Sequence, residues 1–219
     1  MPNFSANSND CMIGNTSASS WSDARGNAST SGNIFLSNGT FNTFGIYNIY
    51  SGGRGGNTYY CRRSYFQFDL SGESETAESA TLTLRLDATG VSSPGVTIVN
   101  STGIPTSSSD FGMCFSSGSI LGTELVTAVS VSTTEGDHTF TFNASGISAI
   151  NSAIGSGNLN LCLMGNDYDH DNSAPSLGGN YNKTTVYYQN HGTSTYRPKL
   201  SITYAAAATD NSVFFGTNF

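Results

Sequence analysis

Residues 166–172 read Asn-Asp-Tyr-Asp-His-Asp-Asn, with the carboxylates of Asp167, Asp169 and Asp171 at every second position. Three such side chains on one short loop can converge on a hard cation, and oxygen-rich loops of this kind suit Ca²⁺. The loop is not an EF-hand, because the twelfth position counted from Asp167 is Gly178 and not a bidentate Glu. The competing reading is a solvated loop whose like charges repel mildly. Apart from Ca²⁺ here, no cofactor is expected.

Acid–base and nucleophilic chemistry finds little to work with. The imidazoles are His138, His170 and His191, and the chain contains neither a G-x-S-x-G elbow nor an H-E-x-x-H pair. His138 shares a strand face with Phe140 and Phe142, which suits a satisfied histidine at the rim of a core better than a general base. Glu73, Glu75 and Glu78 crowd a polar turn, the usual setting of a solvated face. No catalytic residue is expected and the protein is read as a non-enzyme. The four cysteines, Cys11, Cys61, Cys114 and Cys162, form no C-x-x-C pair and have no histidine at ligand spacing, which argues against zinc. Three disulfide connectivities stay open beside the plainer reading of buried free thiols.

Two further sets of side chains could make contacts. Trp21, Tyr47, Tyr50, Tyr59, Tyr60, Tyr65, Tyr187 and Tyr188 offer apolar ring faces on which sugars stack, or they pack the body of the fold and its partner contacts. Val213, Phe214, Phe215 and Phe219 form an apolar tail beyond the last expected strand. Exposed phenylalanines are costly unless they bury somewhere, so these residues are expected to bind a neighbouring subunit.

The elements that must hold these groups are strands. Only 11% of residues are charged, and Ser, Thr, Asn and Gly supply the polarity. No apolar run approaches the roughly 20 residues of a spanning helix, so no membrane partner is expected. A net charge of -7 leaves few cations to displace counterions from a phosphate backbone, so nucleic acid is a poor partner. The N-terminus, MPNFSANSNDCMIGN, shows no basic n-region and no apolar h-region, so no secretory signal is expected. In residues 79–87, Ala80, Leu82, Leu84 and Leu86 alternate with Thr81, Thr83, Arg85 and Asp87, the period of a half-buried antiparallel strand. Residues 63–70 place Ser64, Phe66, Phe68 and Leu70 on one face, with Arg63, Tyr65, Gln67 and Asp69 on the other. Asn38-Gly39 carries a type I′ hairpin signal. Further strands are expected over 46–50, 96–99, 125–131, 138–142, 159–164, 185–188 and 200–204. Ile147, Ile150 and Ile154 predict one short helix over 146–154, with Ser145 as its cap and Gly155 as its stop. This pattern predicts an all-β fold, an antiparallel two-sheet sandwich of jelly-roll type with one short helix. The expected organisation is a polar N-terminal extension (1–32), the sandwich (33–204) and a C-terminal tail or arm (205–219).

Residues 63–70 (RSYFQFDL), residues 79–84 (SATLTL) and the closing stretch 197–204 (RPKLSITY) resemble the DNRLRE-type β-sandwich domain, whose relatives include carbohydrate-binding modules. The resemblance covers about residues 33–204. It implies a jelly-roll sandwich of the sort carried by secreted, cell-surface and phage proteins, with no catalytic residues, and it does not fix a ligand. The chain is therefore expected to be a structural protein of a virus particle, a phage capsid decoration or a tail or fibre component. It would be homo-oligomeric, in contact with other virion proteins and host surface glycans, and located in the virion. The alternative is an extracellular carbohydrate-binding module or adhesin.

Overall fold

The computed structural model describes residues 2–15, 18–26, 33–37, 43–53, 56–87, 95–116, 119–120, 123–131, 134–175 and 182–206. In chain order the elements are β1 (Asn3–Ser5), β2 (Cys11–Asn15), α1 (Trp21–Gly26), β3 (Asn33–Ser37), β4 (Thr43–Gly53), β5 (Gly56–Asp69), β6 (Ala77–Asp87), β7 (Gly95–Asn100), β8 (Phe115–Ser116), β9 (Ser119–Ile120), β10 (Val129–Ser130), β11 (Gly136–Thr141), α2 (Ala144–Ala153), β12 (Asn158–Gly165), β13 (Asn182–Tyr187) and β14 (Lys199–Tyr204). The fold is an all-β sandwich of two antiparallel sheets.

Strand β6 organises the first sheet, pairing with β14 along one edge and β11 along the other. Strand β5 organises the second. It pairs with β4 through its first half, with β12 through its second half, and with β2 across residues 62–65. The hydrogen-bond path from β6 to β5 runs through β13 and β4, so the two sheets share a corner.

Alternation decides what lies between them. Leu82, Leu84 and Leu86 of β6 meet Phe66 and Phe68 of β5, and Leu70 just after it, in the main core, joined by Phe140, Leu161, Leu163, Leu200 and Ile202. The threonines of β6 point outward, and Thr83 lies beside Thr139 of β11, with Oγ1 to Oγ1 at 3.4 Å.

Helix α2 sits over one end of this core, burying Ile150 and Ala153. Its cap is Asn143, whose side chain accepts from the Gly146 backbone N–H, and not the expected Ser145. Gly155 takes φ +70, the left-handed geometry of a helix stop. Over 125–131 only β10 and the isolated bridge between Val126 and Phe142 are strand-like. The hairpin turn at Asn38-Gly39 lies outside the described residues, and the described partner of β3 is β2.

Within the N-terminal segment, β1 pairs with β14, β2 pairs with β5, and α1 buries Trp21 and Ala24. With residues 104–115, α1 covers the outer face of the second sheet. A second apolar cluster forms there, containing Ile13, Trp21, Tyr65, Val99, Phe111 and Met164. The middle of β5 is thus enclosed on both faces.

Candidate functional site

At the centre of this second cluster lies Arg63, with no exposed surface. The alternation that aims Phe66 and Phe68 into the main core aims Arg63 the opposite way. Its partner is Asp169, also fully enclosed, on a single π-helical turn (Asn166–His170) that follows β12. Arg63 Nε donates to Asp169 Oδ2 at 2.6 Å and Nη2 donates to Oδ1 at 2.8 Å, a bidentate fork. Nη2 also donates to the Arg25 carbonyl at 2.7 Å, and Nη1 to the Phe111 carbonyl at 3.2 Å. The rings of Phe111 and Phe115 each lie 4.4 Å from the guanidinium carbon. Arg25, at the end of α1, donates from Nε to the Asp169 carbonyl at 2.5 Å and sits 4.9 Å from the Phe115 ring. Three separate pieces of chain (α1, the 104–115 segment and the π turn) are therefore tied to one strand through one guanidinium.

Burial alone would push the Arg63 guanidinium down. The Asp169 carboxylate overrides burial and holds it well above its ordinary value. Arg25 is lowered, chiefly by burial, with Asp169 opposing and the like charge of Arg63 adding to the fall. Both remain cations at neutral pH, so this carboxylate faces two positive charges.

The three aspartates of the acidic loop diverge. Asp169 turns inward to Arg63. Asp167 Oδ2 accepts from the Gly95 backbone N–H at 3.4 Å. Asp171 is exposed and lies 2.9 Å from His170 Nδ1. Among the described residues, no group of three or more His, Cys, Asp or Glu side chains is placed to hold a metal ion. At the buried carboxylate of Asp169 the positive charge comes from Arg63 and Arg25.

The remaining candidates are likewise distributed through the packing. His138 is half-buried opposite Leu84, and burial lowers its pKa against the pull of Asp137. His191 stacks on Tyr196 at 5.1 Å and meets Tyr187 edge-on at 4.5 Å, while Arg85 lies 4.0 Å over the Tyr196 ring. Glu73 accepts a short hydrogen bond from the Tyr204 hydroxyl, whereas Glu75 and Glu78 are exposed. Trp21 packs against Tyr59, and Tyr65 and Tyr188 are buried. Tyr60 is half-buried. The side chains of Tyr47 and Tyr50 lie outside the described residues, as do Val213, Phe214, Phe215 and Phe219. All four cysteines are buried thiols not joined in disulfides, and all four belong to the second cluster.

The pairing of Asp169 with Arg63 and Arg25 escapes sequence reasoning because the partners lie 106 and 144 residues apart. Two signals point toward the arrangement. Arg63 and Tyr65 alternate with core phenylalanines, and the apolar residues Ile104, Phe111, Met113 and Phe115 exceed what a surface loop needs.

The surface also carries shallow clefts. One of about 440 Å³ runs between α2 and β12, lined by neutral groups that include Ser148, Ser152, Asn158 and Asn160. Another of about 350 Å³ includes Thr83, Asp137, Arg197 and Lys199. No family model matches the chain, and no curated protein matches it in sequence.

Proposed function

We propose that the protein is a non-catalytic structural subunit of a virus particle, a phage capsid decoration or a tail or fibre component. The observation that carries this reading is the use of the Arg63–Asp169 pair. The most reactive-looking loop in the sequence is bound to the body by an enclosed guanidinium, and its carboxylates are turned apart. Thiols and many of the aromatic rings serve packing as well. What faces solvent on the first sheet mixes hydroxyls, as on Thr83 and Thr139, with the paired charges of Arg85, Glu135 and Asp137. Such a body works by stiffness and by contact. The apolar residues Val213, Phe214, Phe215 and Phe219 supply the grip on neighbouring subunits. The resemblance of residues 63–70 and 197–204 to DNRLRE-type domains agrees with a role of this kind.

A carbohydrate-binding module or adhesin is the second reading, favoured by the uncharged serine and asparagine lining of the α2–β12 cleft. Hydroxyls and amides of this sort pair with sugar hydroxyls without demanding charge. Light scattering of the full chain and of a chain lacking residues 209–219 separates the two. A stable oligomer that dissociates on truncation is the expected result. A monomer in both forms, with binding on a glycan array, would overturn the virion reading in favour of the second.

A further inference from the structure

The second cluster brings two thiols together from distant parts of the chain. Cys162 lies on β12, on the face turned away from the main core, and Cys114 closes the segment that covers that face. Tyr65 lies between them: it faces Cys162 across the β5–β12 ladder, and its hydroxyl donates to Cys114 Sγ at 3.4 Å. The other cysteines are engaged differently. Cys11 Sγ reaches the Pro105 carbonyl at 3.6 Å. Cys61 is hydrogen-bonded to Asp169, beside the buried ion pair.

We propose that Cys114 and Cys162 are a latent disulfide pair, closed by a two-electron oxidant of the hydrogen peroxide class, which rivets the covering segment to the second sheet. The proposal does not depend on the virion reading. Of the three pairings open to four cysteines, the shared neighbour Tyr65 favours this one. The sulfurs are also chemically unequal. Burial raises Cys114, but its contact with Cys162, the charge of Arg63 and the Tyr65 hydroxyl outweigh burial and leave the thiol lowered. Cys162 is pushed well up, by burial first and then by Cys114.

The Tyr65 hydroxyl donates to Cys114 Sγ and favours its thiolate, so Cys114 is the attacking sulfur. As thiolate it displaces hydroxide from peroxide, forming an S–O bond as the O–O bond breaks, and the hydroxide takes up the proton Cys114 released. The sulfur of Cys162 then attacks Cys114, the S–O bond breaks, and the departing hydroxyl leaves as water with the Cys162 proton. Two thiols and one peroxide become one disulfide and two waters. Both sulfurs are enclosed, so the oxidant enters when residues 104–115 lift from the sheet. The rate follows that opening and rises in dilute denaturant.

The test uses the full chain, reduced, desalted and exposed to hydrogen peroxide, then alkylated, digested without reductant and mapped by mass spectrometry. A single crosslinked peptide pair joining Cys114 to Cys162 is expected, with Cys11 and Cys61 alkylated. The melting temperature should rise by several degrees, since the crosslink closes a long loop. Cys162→Ser should abolish the crosslink, and Cys11→Ser should leave it intact. Four alkylated cysteines after exposure, any other pairing, or crosslinks between chains would overturn the proposal. The unsubstituted protein decides the matter even where a variant fails to fold.

Discussion

Replacing Asp169 with Asn removes one charge and little volume from the middle of the second cluster. Arg63 keeps its bonds to the Arg25 and Phe111 carbonyls and its two phenylalanine rings. It loses the charge-assisted fork at 2.6 and 2.8 Å, and one amide cannot accept from both guanidinium nitrogens. Because both side chains have no exposed surface, solvent cannot replace the lost carboxylate. Breaking a buried pair from one side costs about 3–5 kcal/mol, and that is the expected loss for Asp169→Asn. With a urea slope near the upper end of about 1–3 kcal/mol/M, the midpoint falls by about 1–2 M. The single tryptophan, Trp21, is buried in the same cluster and reports the transition by fluorescence. Circular dichroism follows the sheets in parallel. The double variant Arg63→Met with Asp169→Leu removes both charges and should recover much of the loss. A cost below about 1 kcal/mol for Asp169→Asn, the range of exposed pairs, would refute the claim that this ion pair is enclosed and holds the covering layer.

Three other outcomes follow from the same geometry. Gly146→Ala should destabilise by about 1–3 kcal/mol, although alanine is the better helix former by about 1 kcal/mol. The added Cβ would lie 2.3 Å from the Leu125 carbonyl oxygen and 2.5 Å from the Phe142 ring, and a thermal melt showing stabilisation would contradict this packing. Asp10 is fully enclosed, and burial holds its carboxyl well above the ordinary value, against hydrogen bonds from the Gln189 and Gln67 backbones. The folded state therefore binds this proton more tightly than the unfolded state. Stability from this group is greatest below the ordinary carboxylate value and falls as pH rises through the raised one. Asp10→Asn should flatten that slope in urea titrations at several pH values, and an unchanged slope would remove the assignment. Finally, titration of Ca²⁺ into chelator-treated protein should give no heat and no change in melting temperature. A saturable signal lost in Asp167→Asn would mean that the acidic loop closes on an ion after all.

The strands of the main core were readable because their apolar residues recur with period two. In β6 the alternation of leucine with threonine assigns both faces, and the structure agrees at each leucine. In β5 the same period assigns Phe66, Phe68 and Leu70 to one face but does not say what covers the other. Asp69 on that other face is exposed and Gln67 half-buried, while Tyr65 and Arg63 are enclosed. A polar residue in a strand reads as solvent-facing unless its cover is known, and the cover here comes from α1 and residues 104–115. The acidic loop shows the same limit. The spacing of Asp167, Asp169 and Asp171 describes an extended strand or loop, whereas the π turn rotates Asp169 away from its neighbours. The cap of α2 was missed by two positions, since asparagine and serine are both good caps and only the backbone distinguishes Asn143 from Ser145.

The double enclosure of β5 has a consequence for how the chain finds its pairing. A strand with one face in solvent can slip by two positions and keep its apolar side inward. Slippage by one position exchanges the faces outright. In β5 either error is penalised twice, because one face packs Phe66 and Phe68 into the apolar main core while the opposite cluster is built around a guanidinium. A slip by one would drive Arg63 among Leu82, Leu84 and Phe140 without a counter-charge. A slip by two would separate it from Asp169. Arg63 thus acts as an index mark for the alignment of β2, β4 and β12 along their common strand.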